Sequence, residues 1–351
     1  MNLTTKPFGT LPCGKEVTVF TLTNAIGASV SILNYGGIIT AINVPDRDGK
    51  LVDVCLGAAD ISSYIGGEGY LGALIGRSGN RFGKGLARLN GKILQLAKNS
   101  NGHHLHGGDV GFDQKIWAAT PIESENKLEL RITSPDGEEN YPGTLDVLVT
   151  YGWTDDCALS IRYQATSDKD TLCNLTNHTY FNLEGAGSGQ VLDHEIQIQS
   201  DLLTIVDPDC IPTGELRDVT DTPFDLRNPA RIGDGMALEQ SDEQMRFGGG
   251  YDHNYALREA DGIREVVALY APKTGIRMTV QTDLPGIQFY TGNFLNDSFL
   301  GKGGVTYSKR FGLCLETQFY PDSPNHDEFA PCVLRVGENY DTTTIYTFSA
   351  M

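Results

Sequence analysis

Along most of the chain, apolar and polar residues alternate with a period of two. Leu128, Leu130 and Ile132 alternate with Glu129, Arg131 and Thr133, and Leu145, Val147, Val149, Tyr151 and Trp153 share one parity. Leu159, Ile161, Tyr163 and Ala165 alternate with Ser160, Arg162, Gln164 and Thr166, and Ile276, Met278 and Val280 with Arg277, Thr279 and Gln281. Successive side chains of a strand point to opposite faces, so each run predicts a strand with one face in a core and the other in water. Turn-forming residues punctuate the runs: Asp48-Gly49, Asn90-Gly91, Pro135-Asp136-Gly137, Pro142-Gly143 and Asp261-Gly262. Helical periodicity is scarce, and its best stretch, Met236 to Phe247, is short and lies among glycines. The pattern predicts an all-β fold, a large antiparallel sandwich with few short helices rather than a parallel α/β sheet. No proline- or serine-rich linker and no low-complexity run divides the chain, so one domain over residues 1–351 is expected.

With 351 residues, 40% of them hydrophobic, the chain can fill a large core. Its 27 Lys and Arg stand against 45 Asp and Glu, a net charge of −18. An acidic surface repels phosphate backbones and anionic lipid, which argues against nucleic-acid and membrane roles but leaves a neutral small molecule unaffected. The first residues lack the apolar stretch of a secretory leader, and no run approaches the roughly 20 residues that span a bilayer. The seven cysteines are scattered, without a CxxC pair, and several lie inside apolar runs. They read as buried thiols in a reducing compartment, which predicts a cytoplasmic protein without disulfides or a zinc site.

Chemistry should sit where polar residues interrupt strands for no reason of packing. Read as one strand, Thr171 to Leu183 presents Asn174, Thr176, His178, Tyr180 and Asn182 on a single face. A solvated face normally carries Lys and Glu; this one has neither, which predicts a ligand surface. In Phe311 to Phe319, Gly312, Cys314, Glu316 and Gln318 oppose Phe311, Leu313 and Leu315, so a carboxylate stands beside small neighbours that leave room for a ligand. In Gly286 to Asn293, Gln288 and Tyr290 oppose Ile287 and Phe289 between Gly286 and Gly292, which fits close approach of a ligand or of another backbone, or else a β-bulge. Two loops add Asn101-Gly-His-His-Leu-His-Gly-Gly108 and the Asp252-His253 pair. The glycine-rich Gly76 to Gly85 lacks the GK[ST] ending of a phosphate loop, and the histidine cluster lacks HExxH or cysteine partner spacing, so neither a nucleotide nor a metal is favoured.

Together these segments resemble the aldose 1-epimerase (galactose mutarotase) family. The resemblance rests on Asn80-Arg81, Leu105-His106-Gly107-Gly108 with Gly111-Phe112-Asp113, Ser134 to Gly143, Asn174 to Leu183, Ile211 to Glu215 and Phe224-Asp-Leu-Arg227. It continues through Tyr251-Asp-His-Asn254, Gln288 to Asn293 and Cys314-Leu-Glu-Thr-Gln318. These blocks run in the family's order from about residue 30 to the C-terminus. The resemblance implies a single-domain β-supersandwich that interconverts the anomers of free aldohexoses without cofactor or metal. It also implies Glu316 as general base, His178 as general acid and His106 as a second active-site histidine near the ring oxygen. Asn80, Arg81, Asp252 and Gln288 would bind sugar hydroxyls, with Thr179 and Tyr180 beside the acid. The extra His103 and His104 depart from the pattern; His106 is chosen because it alone precedes the glycine pair. The expected partner is a free monosaccharide, galactose or glucose, and neither the preferred sugar nor the oligomeric state is legible. Two rival readings are a glycoside hydrolase pairing Glu316 with Asp252, and a sugar-binding module without catalysis.

Overall fold

In a computed structural model, residues 2–66, 68–297 and 300–351 are described. Two antiparallel sheets form the sandwich. The larger has nine strands in the order Ala118–Ile122, Lys127–Ser134, Leu145–Trp153, Ala158–Ser167, Tyr340–Ala350, Ile276–Thr282, Arg264–Tyr270, Glu195–Ile198 and Ala230–Arg231. The second has six: Tyr180–Phe181, Leu313–Gln318, Gly286–Tyr290, Asp252–Leu257, Ser200–Val206 and Pro212–Asp218. A third, five-stranded sheet is a meander of the first strands, from Asn2–Thr10 to Leu51–Asp53.

The alternating runs become strands, with the expected parity except that Thr279 is buried and Ile132 only partly so. Leu145, Val147, Val149, Tyr151 and Trp153 are all buried, as are Leu159, Ile161, Tyr163 and Ala165. They join one apolar cluster with Ile287, Phe289, Leu313 and Leu315 of the six-stranded sheet and with Val30, Ile32 and Ile42 of the meander. Burial of apolar surface, at about 25 cal/mol per Å², is the main force holding these sheets face to face. The turns follow the same chemistry: Asn90 and Gly91 both take positive φ, 52° and 73°, between Leu86–Leu89 and Lys92–Gln95. That is the conformation a two-residue hairpin loop requires. The stretch Met236 to Phe247 is not one helix. It holds the end of Ile232–Met236 and most of Glu243–Gly248, the latter capped by the Asp242 carboxylate, which accepts from the Met245 N–H.

Thr171 to Leu183 departs from expectation. It is not one strand but three two-residue pieces, Thr171–Leu172, Thr176–Asn177 and Tyr180–Phe181, each paired with a different partner. A segment leaving one sheet for another must satisfy its neighbours' backbone groups by other means. Asn174 both donates to the Phe319 carbonyl and accepts from its N–H, Asn177 donates to Gly72, and Asn182 donates to Gly189 and Phe311. Asn174 and Asn182 of the polar face therefore tie backbone together inside the protein rather than facing a ligand. Six cysteines are buried and Cys13 is exposed, all as free thiols. Among the described residues no helix is long and apolar enough to cross a membrane.

Candidate active site

Strand register brings the key side chains together. In an antiparallel pair, directly opposed residues point to the same face. Asp252 opposes Tyr290, which opposes Cys314, which opposes Tyr180; one step along, Asn254 opposes Gln288 and Gln288 opposes Glu316. These rows form one face of the six-stranded sheet. The residues between them, His253, Phe289 and Leu315, point the other way, and Phe289 and Leu315 enter the core. Above the polar face lies a cleft of about 330 Å³ whose walls include Asn80, Arg81, His106, His178, Tyr180, Asp252, Gln288 and Glu316. Its mouth is flanked by Phe294, 63% exposed.

His178 lies between two of the short strand pieces, and its backbone is pinned on both sides: its N–H donates to Ala73 and its carbonyl accepts from Gly72. The ring points Nε2 at Glu316 Oε1, 3.6 Å away, and Nδ1 at the Cys314 sulfur, 3.4 Å away. Glu316 is only 2% exposed, so it is no ordinary strand-face glutamate; its Oε2 has no hydrogen-bond partner among the described residues. Burial pushes the Glu316 carboxyl well above its usual range; Asp252 adds to this and Arg81 opposes it. Burial also lowers His178, to about 4. Burial thus disfavours the charged form of each group, and at this separation the two titrate as a coupled pair.

His106 sits in a tight turn after the short strand His104–Leu105, at φ 50°. The turn needs Gly107, at φ 94°, because a Cβ there would lie 1.9 Å from the Gly76 carbonyl oxygen. The Asn80 backbone N–H donates to His106 Nδ1 at 3.1 Å, and the His106 N–H donates back to the Asn80 carbonyl. Since Nδ1 accepts, the proton of the neutral ring must be on Nε2. Burial and then the neighbouring His178 hold His106 well below its ordinary value, so it stays neutral. It is a fixed N–H donor. The Ser134 to Gly143 block stays outside the cleft walls but braces this turn: Glu139 accepts from the Asp109 and Val110 N–H groups, and Arg77 reaches the Ser134, Pro135 and Pro142 carbonyls.

The ligating atoms of His106, His178 and Glu316 lie within 4.8 Å of one another, the spacing of a metal site. The histidine tautomer argues against one. A metal at His106 Nε2 needs a lone pair there, which would put a proton on Nδ1, against the Asn80 N–H. Of the other clustered histidines, His104 is buried, donating from Nδ1 to the Ala97 carbonyl and accepting the Tyr141 hydroxyl at Nε2. His103 accepts the Lys84 N–H and lies near Asp209. Neither lines the cleft, so the choice of His106 over both agrees with the geometry.

Arg81 and Asp252 form an ion pair at 3.4 Å, and Gln288 donates to the other Asp252 oxygen at 2.7 Å. Burial disfavours the Arg81 charge, but Asp252 and the nearby acidic groups outweigh it and raise its pKa. Thr179 does not join the cleft. Its hydroxyl donates to the Asn177 side chain, because at a break between strand pieces it closes a local turn instead. Tyr70, Tyr290 and Phe294 are walls that the sequence reading did not include. Tyr290 shares the Gln288 face and was within reach of a period-two argument. Tyr70, whose ring lies 4.6 Å from His106 and 5.9 Å from His178, comes from a glycine-rich loop that gives no such signal. Gly286 marks no bulge, since its pairings run in unbroken register, and a Cβ there would lie 2.5 Å from the Asn254 side-chain oxygen; Gly292 marks close approach of another backbone, for a Cβ there would lie 2.4 Å from the Gly312 carbonyl oxygen.

A description of the aldose 1-epimerase family matches residues 18–347. The chain is 42% identical to galactose mutarotase of Mus musculus over 349 residues, 99% of each chain. It is 35% identical to aldose 1-epimerase of Escherichia coli K12 over 342 residues, 97% of each. Among solved structures, the GalM/aldose epimerase homologue from C. elegans superposes with a TM-score of 0.87 at 29% identity, covering 95% of this chain and 99% of that one. Galactose 1-epimerase from Lactobacillus acidophilus NCFM gives 0.86 at 28% identity, covering 99% and 98%.

Proposed function

This chain belongs to the aldose 1-epimerase family, and we propose that its cleft interconverts the α and β anomers of free aldohexoses, galactose and glucose among them, by opening and reclosing the pyranose ring. The observation that carries this reading is the carboxyl of Glu316 facing the imidazole of His178 at 3.6 Å in one cleft. Ring opening breaks the C1–O5 bond: a base takes the proton of the C1 hydroxyl while an acid protonates O5. The free aldehyde turns about C1–C2 and closes on its other face, with the roles reversed. Glu316 is the base and His178 the acid, each typically contributing about 10²–10⁴-fold. The cycle neither gains nor loses a proton overall: ring opening needs the shared proton on His178 and an ionised Glu316, and reclosure restores that arrangement.

His106 contributes its fixed Nε2–H as a donor toward the ring oxygen, where negative charge grows as the bond breaks. Arg81, Asn80, Gln288 and Asp252 hold neutral hydroxyls, and Tyr180 stands beside the acid. Asp252 is already bound to Arg81 and Gln288, which suits an anchoring carboxylate better than the second catalytic carboxylate of a hydrolase. The match of residues 18–347 to one family supports treating the chain as a single catalytic unit. Polarimetry of freshly dissolved α-D-galactose and α-D-glucose tests the proposal. The protein should speed the decay of rotation in proportion to its concentration; saturable sugar binding with an unchanged decay would leave a binding module in its place.

A further inference from the structure

The polar groups of the cleft are joined in a closed circuit. The Arg81 backbone N–H donates to Asn80 Oδ1 at 2.9 Å, and Asn80 Nδ2 donates to Gln318 Oε1 at 3.3 Å. Gln318 Nε2 donates to Gln288 Oε1 at 3.2 Å and to Asn254 Oδ1 at 3.1 Å. Gln288 Nε2 donates to Asp252 Oδ1, and the other Asp252 oxygen meets the Arg81 guanidinium, which returns the circuit to its start. Its direction is forced at both ends. A backbone N–H can only donate and a carboxylate can only accept, so each amide between them has one orientation that keeps every bond.

Gln318 lies outside the cleft walls, as does Asn254 on its branch, whereas Asn80 and Gln288 line the cleft; Gln318 is 0% exposed. It lies on the same sheet face as Glu316, two residues further along its strand, opposite Gly286. The missing side chain of Gly286 leaves space for Asn254, to which Gln318 also donates. We infer that Gln318 is a positioning residue that sets the hydrogen-bonding polarity of the sugar-binding surface. Held by Gln318, Asn80 and Gln288 each keep a second N–H for the ligand, while Asp252 supplies the acceptor. The cleft therefore reads neighbouring sugar hydroxyls as a fixed pattern of acceptors and donors.

This inference rests on the sugar-binding reading of the cleft, and its test separates the two. Gln318→Glu still accepts from Asn80 but, with one proton at most, cannot donate to both Gln288 and Asn254; Gln318→Met keeps the length and removes both functions. Each variant, with wild type, is measured for D-galactose affinity by calorimetry, for KM and kcat by polarimetry, and for thermal unfolding. Both variants should raise Kd and KM about tenfold or more while kcat changes less than about threefold, since the acid–base pair lies outside the circuit. A residue that only stabilises the fold would lower the unfolding temperature and leave Kd and KM near wild type, and that result overturns the inference. If wild type binds galactose without speeding mutarotation, the proposed reaction fails while the affinities still decide the role of Gln318. If wild type does not bind galactose, both fall. Should neither variant fold, side-chain amide exchange in ¹⁵N-labelled wild type decides: the Gln318 protons should exchange at least a hundredfold more slowly than those of exposed glutamines, and comparable rates overturn the inference.

Discussion

Replacing Glu316 by glutamine tests catalysis and electrostatics in one protein. The amide keeps the shape of the carboxyl but cannot take a proton from the sugar. Loss of a general base should lower kcat by about 10²–10⁴-fold, or roughly 2.7–5.4 kcal/mol in the barrier, with galactose affinity changing much less. The second effect follows from burial, which raises the Glu316 pKa above the ordinary 4.5. Below pH 4.5 the carboxyl is protonated in both folded and unfolded chains and the variant gains nothing. Above it the unfolded chain ionises first, so the wild type loses stability relative to the variant until pH passes the folded value. The slope is at most about 1.4 kcal/mol per pH unit. For 351 residues, an unfolding entropy of about 2.1 cal/mol/K per residue makes each kcal/mol worth about 1.4 °C. Calorimetry should therefore find the variant melting higher, by up to about 4 °C more at pH 6.5 than at pH 4.5. Wild-type turnover in the variant would remove Glu316 from the mechanism. A melting gap that stays flat with pH would refute the buried, proton-holding carboxyl.

Three further outcomes follow from the same geometry. The pH dependence of kcat/KM should be bell-shaped, because the coupled pair works only with one proton between its two groups; burial lowers His178 and raises Glu316, so neither limb belongs to one residue. A rate that never falls on one side would contradict a shared proton. His104→Ala, which removes hydrogen bonds to Ala97 and Tyr141, should lower unfolding free energy by about 2–3 kcal/mol while kcat/KM stays within about twofold, checked by denaturant titration and polarimetry. Stoichiometric Co²⁺ should give no tetrahedral visible spectrum and no sugar-competitive inhibition, since His106 turns a proton toward the cleft; a spectrum abolished by Glu316→Gln would reverse that assignment.

The sandwich was legible because period-two alternation in runs such as Leu145–Trp153 reports burial directly, and burial is what pairs the sheets. Glu316 and Gln288 were legible for a related reason: each is polar where its strand has no call for polarity. The same argument failed for Thr171 to Leu183, because a chain crossing between sheets also carries unexplained polar residues, used to bind backbone. Asn174 and Asn182 do that work, while His178 two residues from Tyr180 reaches the cleft. Thr179, which only the resemblance implied, closes a turn with Asn177 instead. Tyr70 was invisible because its place depends on a loop folding over distant strands, which no local pattern encodes.

The in-register rows Asp252–Tyr290–Cys314 and Asn254–Gln288–Glu316 have a consequence for how this protein can change over time. A deletion of one residue inside any of those three strands would exchange its inner and outer faces, sending Phe289 or Leu315 toward the sugar and a charged or amide group into the oil-like interior. Length variation should therefore accumulate in connecting loops, while new substrate preferences arise by swapping side chains in place. The reaction centre can be retuned residue by residue, but it cannot slide.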